Sequence, residues 1–81
     1  MSSNMGFDVI PIIGQEAITE SYGIGRVVSY CDDFPHQYVE VQPYVIIDRK
    51  SGRQMSYPMQ FSPQNVTLIM PGTGQLVKVK P

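Results

Sequence analysis

The chain is short and close to electrical neutrality: its 81 residues include six Lys or Arg, seven Asp or Glu, and the sequence pI is about 5.6. This balance excludes the strongly basic composition on which general nucleic-acid binding depends, so nucleic acid is not the expected partner. A single cysteine excludes an internal disulfide. No cluster of His and Cys offers a metal site, and we assign no metal ligand.

The length also sets expectations for stability and location. One domain spans residues 1–81, with residues 1–6 expected to fray, and a chain of this size buries only about 60% of its unfolded surface. Association with further copies is the commonest way to supplement so thin a core, so we expect a homo-oligomer. Met1 to Gly14 lacks the basic residues of a secretory signal, and no apolar run approaches the roughly 20 residues of a membrane span. We expect a cytoplasmic protein without membrane association.

The first half of the chain predicts one arm, one loop and one strand. Pro11 interrupts the apolar run Phe7–Ile13, which predicts an edge strand or an irregular arm. Gln15–Ser21 is too short to sustain a helix and is predicted to be a loop. Tyr22–Cys31 predicts a strand. Alternation divides that strand into two faces, with Val27, Ser29 and Cys31 on one and Arg26, Val28 and Tyr30 on the other.

The stretch Gln37–Phe61 predicts a long β-hairpin around which the other elements are organised. Its arms are Gln37–Ile47 and Arg53–Phe61, and Gly52 near the end of the turn supplies a residue suited to positive φ. Both arms alternate with a period of two. Val39, Val41, Val45 and Ile47 share one face of the first arm, and Met55, Tyr57, Met59 and Phe61 share one face of the second.

The remaining segments complete an all-β pattern. Asp32–His36 predicts a turn, Ser62–Asn65 a tight turn or a single 3₁₀ turn, and Val66–Met70 and Gln75–Lys80 two closing strands separated by a loop. Five to six short strands with Gly and Pro between them are typical of a small barrel or sandwich. We therefore predict a small SH3-like barrel with a long central hairpin.

Four segments, in this order, resemble plasmid-encoded type II dihydrofolate reductase: Tyr22–Gly25, Arg26–Cys31, Tyr38–Val41 and Tyr57–Pro58. The resemblance covers roughly residues 22–70. That family is an SH3-like barrel of similar length and assembles as a tetramer with one active pore through its centre. The resemblance implies the same fold for this chain. As an alternative function, it implies an NADPH-dependent reductase with a symmetric pore.

Two departures separate the chain from that family's chemistry. A strand ending Val-Gln-Ile-Tyr-Pro lines the family's pore, but aligning Tyr57–Pro58 places Met55, not Gln54, at the glutamine position. A one-residue slip moves a strand side chain to the opposite face. The family's folate-binding lysine lies on an earlier strand, whereas no lysine precedes Lys50 here. The resemblance thus predicts the fold more strongly than the reaction, and no cofactor is expected unless the reductase alternative holds.

Residues suited to catalysis are few. Gly23 and Gly25 are too few for a dinucleotide-binding fingerprint and are read as a bend into a strand. His36 follows two aspartates in a predicted turn and is read as a solvent-facing residue. Cys31 lies among apolar strand residues, where cysteine behaves as a small hydrophobe. We assign no catalytic residue.

The candidate binding site is instead the mixed aromatic and amide face of the hairpin. Opposite the valines, Tyr38, Glu40, Gln42, Tyr44 and Ile46 share one face, which suits either a partner or ordinary solvent exposure. Uncharged amides on the return strand suit a symmetric interface, because they can pair with their own copies. The residues assigned to binding are Tyr30, Tyr38, Gln42, Tyr44, Gln54, Ser56 and Tyr57.

The sequence therefore predicts a non-catalytic binding module, typical of phage or plasmid accessory proteins, that binds a protein or sequesters a small-molecule ligand. The reductase is the first alternative. A nucleic-acid-binding barrel is the second, because stacking platforms combine aromatic and basic residues. The residues that would serve it are Tyr30, Tyr44, Arg49, Lys50, Arg53 and Lys78.

Overall fold

The structure, a computed structural model, describes residues 7–33, 35–44, 46–47, 51–52, 54–55 and 57–80. Among these residues, no helix has the length and apolar character needed to cross a membrane. The regular elements are β1 (Glu16–Thr19), β2 (Gly23–Cys31), β3 (Tyr38–Pro43), β4 (Ile46–Ile47), β5 (Gln54–Met55), β6 (Met59–Phe61), a 3₁₀ turn (Pro63–Asn65), β7 (Val66–Ile69) and β8 (Leu76–Lys78).

Six antiparallel strands form one sheet in the order β6–β3–β2–β1–β7–β8, and β4 pairs with β5 beside it. The 3₁₀ turn carries the chain from β6, at one edge, to β7 on the far side of β1. The edge strands β6 and β8 do not pair with each other, so the sheet does not close. The predicted all-β class and small SH3-like barrel are confirmed, with the barrel left open.

The predicted central hairpin is present but divided into two ladders. Val39 pairs with Phe61 and Val41 with Met59, and the chain then continues into the short β4–β5 ladder. The β3–β6 ladder stops at Val41, and Pro43, which has no N–H to donate, is the last residue of β3. Gly52 has a φ of 70°, as the turn requires. The predictions for Val45 and Ser56 concern residues outside the described part of the chain.

The hydrophobic core lies on one face of the sheet, which we call the inner face. Strands β1, β2, β3 and β7 each place alternate side chains there, and these side chains are almost fully buried. Half-buried Tyr30, Phe61 and Met70 pack against the cluster. The core residues are Phe7, Ala17, Val27, Val39, Val41, Val66, Leu68 and Val79.

The loop predicted over Gln15–Ser21 is wrong, because Glu16–Thr19 is strand β1 at the middle of the sheet. β1 pairs with β2 on one side and with β7 on the other. Ala17 and Thr19 are buried, and the Thr19 hydroxyl donates to the Gly23 carbonyl at 2.9 Å. β1 and β2 form a hairpin across the short turn 20–22, and β7, which is distant in sequence, supplies the second set of main-chain partners.

The predicted faces of β2 are also wrong in its second half. Val27 pairs with Val41, but Ser29, not Val28, is the residue opposite Glu40, so a β-bulge lies between them. The extra residue reverses the alternation. Tyr30 therefore joins Val27 on the inner side and packs against the core, whereas it was predicted to share a face with Val28.

The arm before β1 is irregular, which is one of the two predicted alternatives. Phe7 is buried in the core, and its ring centroid lies 6.2 Å from that of Tyr30. The Asp8 N–H donates to the Lys80 carbonyl at 3.1 Å. The two ends of the described chain are thereby joined beside β8.

Candidate binding surface

The outer face of β1, β2 and β3 carries a row of partly exposed apolar side chains. Ile18 and Ile24 are directly opposite each other, and the Tyr44 N–H continues the β2–β3 ladder by donating to the Ile24 carbonyl at 3.2 Å. The exposed fractions are 37% for Ile18, 42% for Ile24, 36% for Val28 and 39% for Tyr44. These apolar side chains lie on the face opposite the core and therefore remain partly exposed to solvent.

A row of polar side chains on the same face lies between Val28 and the other three apolar side chains. Glu16 is directly opposite Arg26, and Arg26 is directly opposite Gln42. We use the name outer strip for the apolar and polar residues together. The outer strip consists of Glu16, Ile18, Ile24, Arg26, Val28, Gln42 and Tyr44.

Tyr44 is held in place by two side chains of the strip. Its hydroxyl donates to Oε2 of Glu16 at 2.7 Å, and the Arg26 guanidinium carbon lies 5.8 Å from its ring centroid, within cation–π range. The hydrogen bond to the Glu16 carboxylate, with some desolvation, raises the pKa of Tyr44 above its ordinary value, and Arg26 partly offsets this effect. The phenol is thus a neutral donor at physiological pH, fixed across the strip.

Arg26 is positioned in turn by the main chain ahead of β1. Its Nη1 donates to the Gly14 carbonyl. Gly14 has a φ of 94°, and its N–H donates to the Val27 carbonyl at 2.8 Å. A positive φ favours glycine, so this turn fixes the acceptor that orients Arg26.

A groove of about 770 Å³ adjoins the outer strip. It lies between the turn Ile12–Gln15 and the loop Met70–Gly74, and it reaches Glu16 and Arg26. Buried Gln15 connects its two sides: the side-chain oxygen accepts a main-chain N–H of the turn at 2.6 Å, and Nε2 donates to a main-chain carbonyl of β7 at 3.1 Å. The groove therefore has fixed walls.

Three of the seven predicted binding residues lie on the outer side of β3 or directly after it. Gln42 and Tyr44 belong to the outer strip. Tyr38 is half-buried opposite Cys31, at the far end of the same strand. The predicted face of β3 is therefore correct for these three residues, whereas Tyr38 does not join the Tyr44 cluster.

The other four predicted residues lie outside the outer strip or outside the described part of the chain. Tyr30 packs against the core on the inner side, so its predicted face is wrong, and its binding role stays a prediction. Tyr57 is exposed beyond β5, and Gln54 pairs in register with Ile47 within β5. Ser56 lies outside the described residues. The binding roles of Tyr57, Gln54 and Ser56 stay predictions.

Sequence reasoning missed Ile18, Ile24, Glu16 and Arg26 as members of the site. Ile18 and Glu16 were assigned to a loop, and Ile24 lies between two glycines. The available signal was the period-two pattern in Glu16–Thr19. Ala17 and Thr19 are buried and alternate with the more exposed Glu16 and Ile18. Joining β1 to the site required knowing that β1 pairs with β2.

The residues weighed for catalysis remain apart. His36 is exposed in a turn in which its N–H donates to the Asp33 carbonyl at 2.8 Å, and Cys31 is a free, half-buried thiol. Within the described ranges, no group of His, Cys, Asp and Glu is arranged to hold a metal ion. Arg49, Lys50 and Arg53 lie outside those ranges, so the basic cluster of the nucleic-acid alternative stays a prediction.

Comparison with known proteins yields no relative: no family model, no curated protein and no solved structure matches the chain. Function is therefore argued from the geometry of the outer strip and the groove.

Proposed function

We propose that this protein is a non-catalytic binding module that uses the outer strip to bind a protein partner. The observation that carries this proposal is the row formed by Ile18, Ile24 and Tyr44 on the face opposite the core, with Val28 beyond the polar row on the same face. Contiguous apolar side chains with a polar border mark interaction surfaces on small soluble domains.

The polar side chains of the strip are ordered before any partner binds. Tyr44 is fixed by its bond to Glu16 and by the Arg26 guanidinium above its ring. Tyrosine and arginine are enriched among the residues that dominate binding energy at protein interfaces. A preordered Tyr–Arg pair loses less rotamer entropy on association, which favours binding.

The shape of the strip favours a protein over a small molecule. The recess bounded by Arg26, Val28, Gln42, Pro43 and Tyr44 has a volume of about 250 Å³. Small-molecule sites are concave and measure roughly 300–1,000 Å³. A shallow strip on a sheet is better matched by the surface of another protein.

Site-specific photo-crosslinking in cells tests this proposal. A photoreactive amino acid replaces Val28, in the strip, or Ile10, an equally accessible residue of the arm (45% exposed). We expect a discrete crosslinked protein band from position 28 and none from position 10. Adding Ile24→Glu should remove the band. The proposal would be contradicted if position 28 gave no band, or if its band persisted in the Ile24→Glu variant.

A second candidate function is sequestration of a small ligand in the groove. Its volume of about 770 Å³ falls within the range of small-molecule sites. Native mass spectrometry of gently purified protein would show this ligand as added mass. Substituting Met70 by Glu, which places a charge in the groove wall, should remove that mass. A chain mass without addition removes this candidate.

The reductase alternative, with NADPH as cofactor, stays a prediction that an assay of dihydrofolate reduction decides. The cytoplasmic location and the phage or plasmid origin also stay predictions from the sequence.

A further inference from the structure

We propose that the partner of the outer strip is a second copy of this chain, bound face to face about a two-fold axis that runs between β1 and β2. The inference rests on the proposed function and names the occupant of the same surface. It is carried by the strand register, the distribution of charge, and the shape of the molecule.

The register of β1 and β2 makes the strip complementary to itself. Glu16 is directly opposite Arg26, and Ile18 is directly opposite Ile24. A two-fold axis parallel to the strands and midway between them exchanges the two members of each pair. Arg26 of one copy then faces Glu16 of the other, and Ile24 of one copy faces Ile18 of the other.

The charges satisfy the condition that an isologous interface imposes. In such an interface each surface must be complementary to its own copy, so a strip of one sign would repel itself. The outer strip carries one acid and one base side by side, and the proposed axis brings opposite charges together twice. In a different orientation, with Arg26 facing Arg26, the two like charges would repel each other and weaken binding.

The next rows outward match in size under the same axis. β3 of one copy faces β7 of the other, because β3 and β7 flank the β1–β2 pair on opposite sides. The large Tyr44 side chain then lies over the small Thr67, which pairs with Ile18 in β7. Gln42 lies over the region of Ile69. Large residues facing small ones allow two sheets to pack closely, at the roughly 10 Å separation of aligned sheets.

The shape of a single copy leaves a broad face available. The molecule measures 53 × 30 × 17 Å, with a radius of gyration of 13.5 Å. A compact domain of this length would have a radius of gyration of about 11.7 Å. Its accessible surface is 5419 Å², against about 4,900 Å² for a compact monomer of this mass. A stable interface needs about 800 Å² from each partner, which is a small part of this accessible surface.

The first experiment measures the mass of the purified protein by light scattering during gel filtration, at loading concentrations up to about 100 µM. We expect a concentration-dependent mass of twice 9.1 kDa. Ile24→Glu should raise the dimer dissociation constant at least about 30-fold, because it places an unpaired charge at the centre of the interface. Ile10→Glu, the matched substitution on the arm, should leave the constant unchanged. Ile18→Glu replaces Ile24→Glu if the latter unfolds.

A pair of charge variants tests whether the two outer strips face each other, as the axis requires. Arg26→Glu makes the strip acidic, and Glu16→Lys makes it basic, so each variant alone should be monomeric. Mixed in equal amounts, the two should form a heterodimer, because the acidic strip of one faces the basic strip of the other. A purely structural role for either residue predicts no recovery on mixing, and failure to recover overturns the proposed axis.

The outcomes separate this inference from the proposed function. A wild-type monomer at about 100 µM, together with a strip-dependent crosslink to a different protein, overturns the second copy and leaves the binding module intact. A dimer that persists in both Ile24→Glu and Ile18→Glu also overturns the inference. The absence of both a dimer and a strip-dependent crosslink overturns the inference and the proposed function together.

Discussion

The two faces of the β1–β2–β3 sheet both carry aliphatic side chains, but the two sets differ in burial. On the inner face, Ala17, Val27 and Val41 are completely buried. On the outer face, Ile18, Ile24 and Val28 remain more than a third exposed. Burial of the inner residues is explained by folding, since they form the core. Folding does not explain the outer residues, which in our proposal are buried when a partner binds.

The faces also differ in how tightly their atoms are packed. On the inner side, Gly25 lies so close to β3 that an added Cβ would be 2.5 Å from the Gln42 carbonyl oxygen and 2.8 Å from the Pro43 Cα. The outer side carries the Tyr44 cluster and a recess of about 250 Å³. The inner face therefore determines stability and the outer face is free to determine binding.

The largest expected effect is on the free energy of unfolding, when a side chain is added at Gly25, where β2 lies close to β3. Gly25→Val should lower the free energy of unfolding by about 3 kcal/mol, because the obstructing atoms belong to the main chain of β3 and cannot rotate away. Chemical denaturation monitored by circular dichroism measures the loss. Gly25→Ala introduces the same Cβ and should also destabilise the protein. A wild-type denaturation midpoint for Gly25→Ala would show that the two strands are less closely packed.

A matched pair of neighbouring substitutions compares the two faces directly. Val27→Ala should cost about 2 kcal/mol, because it leaves a cavity among fully buried side chains. Val28→Ala removes the same atoms from a partly exposed position and should cost less than about 0.5 kcal/mol. Both are measured by chemical denaturation at a concentration at which the protein is monomeric. Equal losses would mean that Val28 is buried as fully as Val27.

The smallest expected effect is a titration on the outer face. The pKa of Tyr44 is raised above 10.0, chiefly by its hydrogen bond to Glu16, so folding favours the neutral phenol. The associated stabilisation is present below the ordinary pKa and is lost as the pH rises through the raised value. Ultraviolet absorbance of tyrosinate, compared with Tyr44→Phe, isolates this group among the five tyrosines.

The Glu16 carboxylate can be removed to test the cause of that shift. Glu16→Gln should lower the pKa of Tyr44, since the charged acceptor is gone. Glu20→Gln, at an exposed position just after β1, makes the same change in net charge and serves as the control. If both variants lower the pKa equally, long-range charge and not the hydrogen bond causes the shift.

Much of the fold was predictable because it rests on local signals. The period-two pattern in β3, the positive φ of Gly52 and the proline at the start of the 3₁₀ turn were all read correctly. β1 was missed because a strand of four residues gives only a short local signal. One of its partners, β2, follows after a short turn, but the other, β7, is distant in sequence. The faces of β2 were half wrong because a bulge carries no residue signature here.

The candidate site was predictable only in part for the same reason. Gln42 and Tyr44 were identified from the alternation of one strand, which fixes the face on which a side chain lies. Glu16 and Arg26 belong to two other strands and reach Tyr44 only through the register of the sheet. Tyr30 was assigned to the wrong face because of the bulge.

By itself, the sequence determined the all-β class, the central hairpin and the turn positions, because each depends on residues close together in the chain. Only the tertiary structure decided that β1 lies at the centre of the sheet, that the barrel stays open, and that Glu16, Arg26 and Tyr44 form one cluster. These features depend on which strands pair and in which register. Pairing is set by the burial of Val27, Val41 and Leu68 from three separate strands, which no single segment of the sequence specifies.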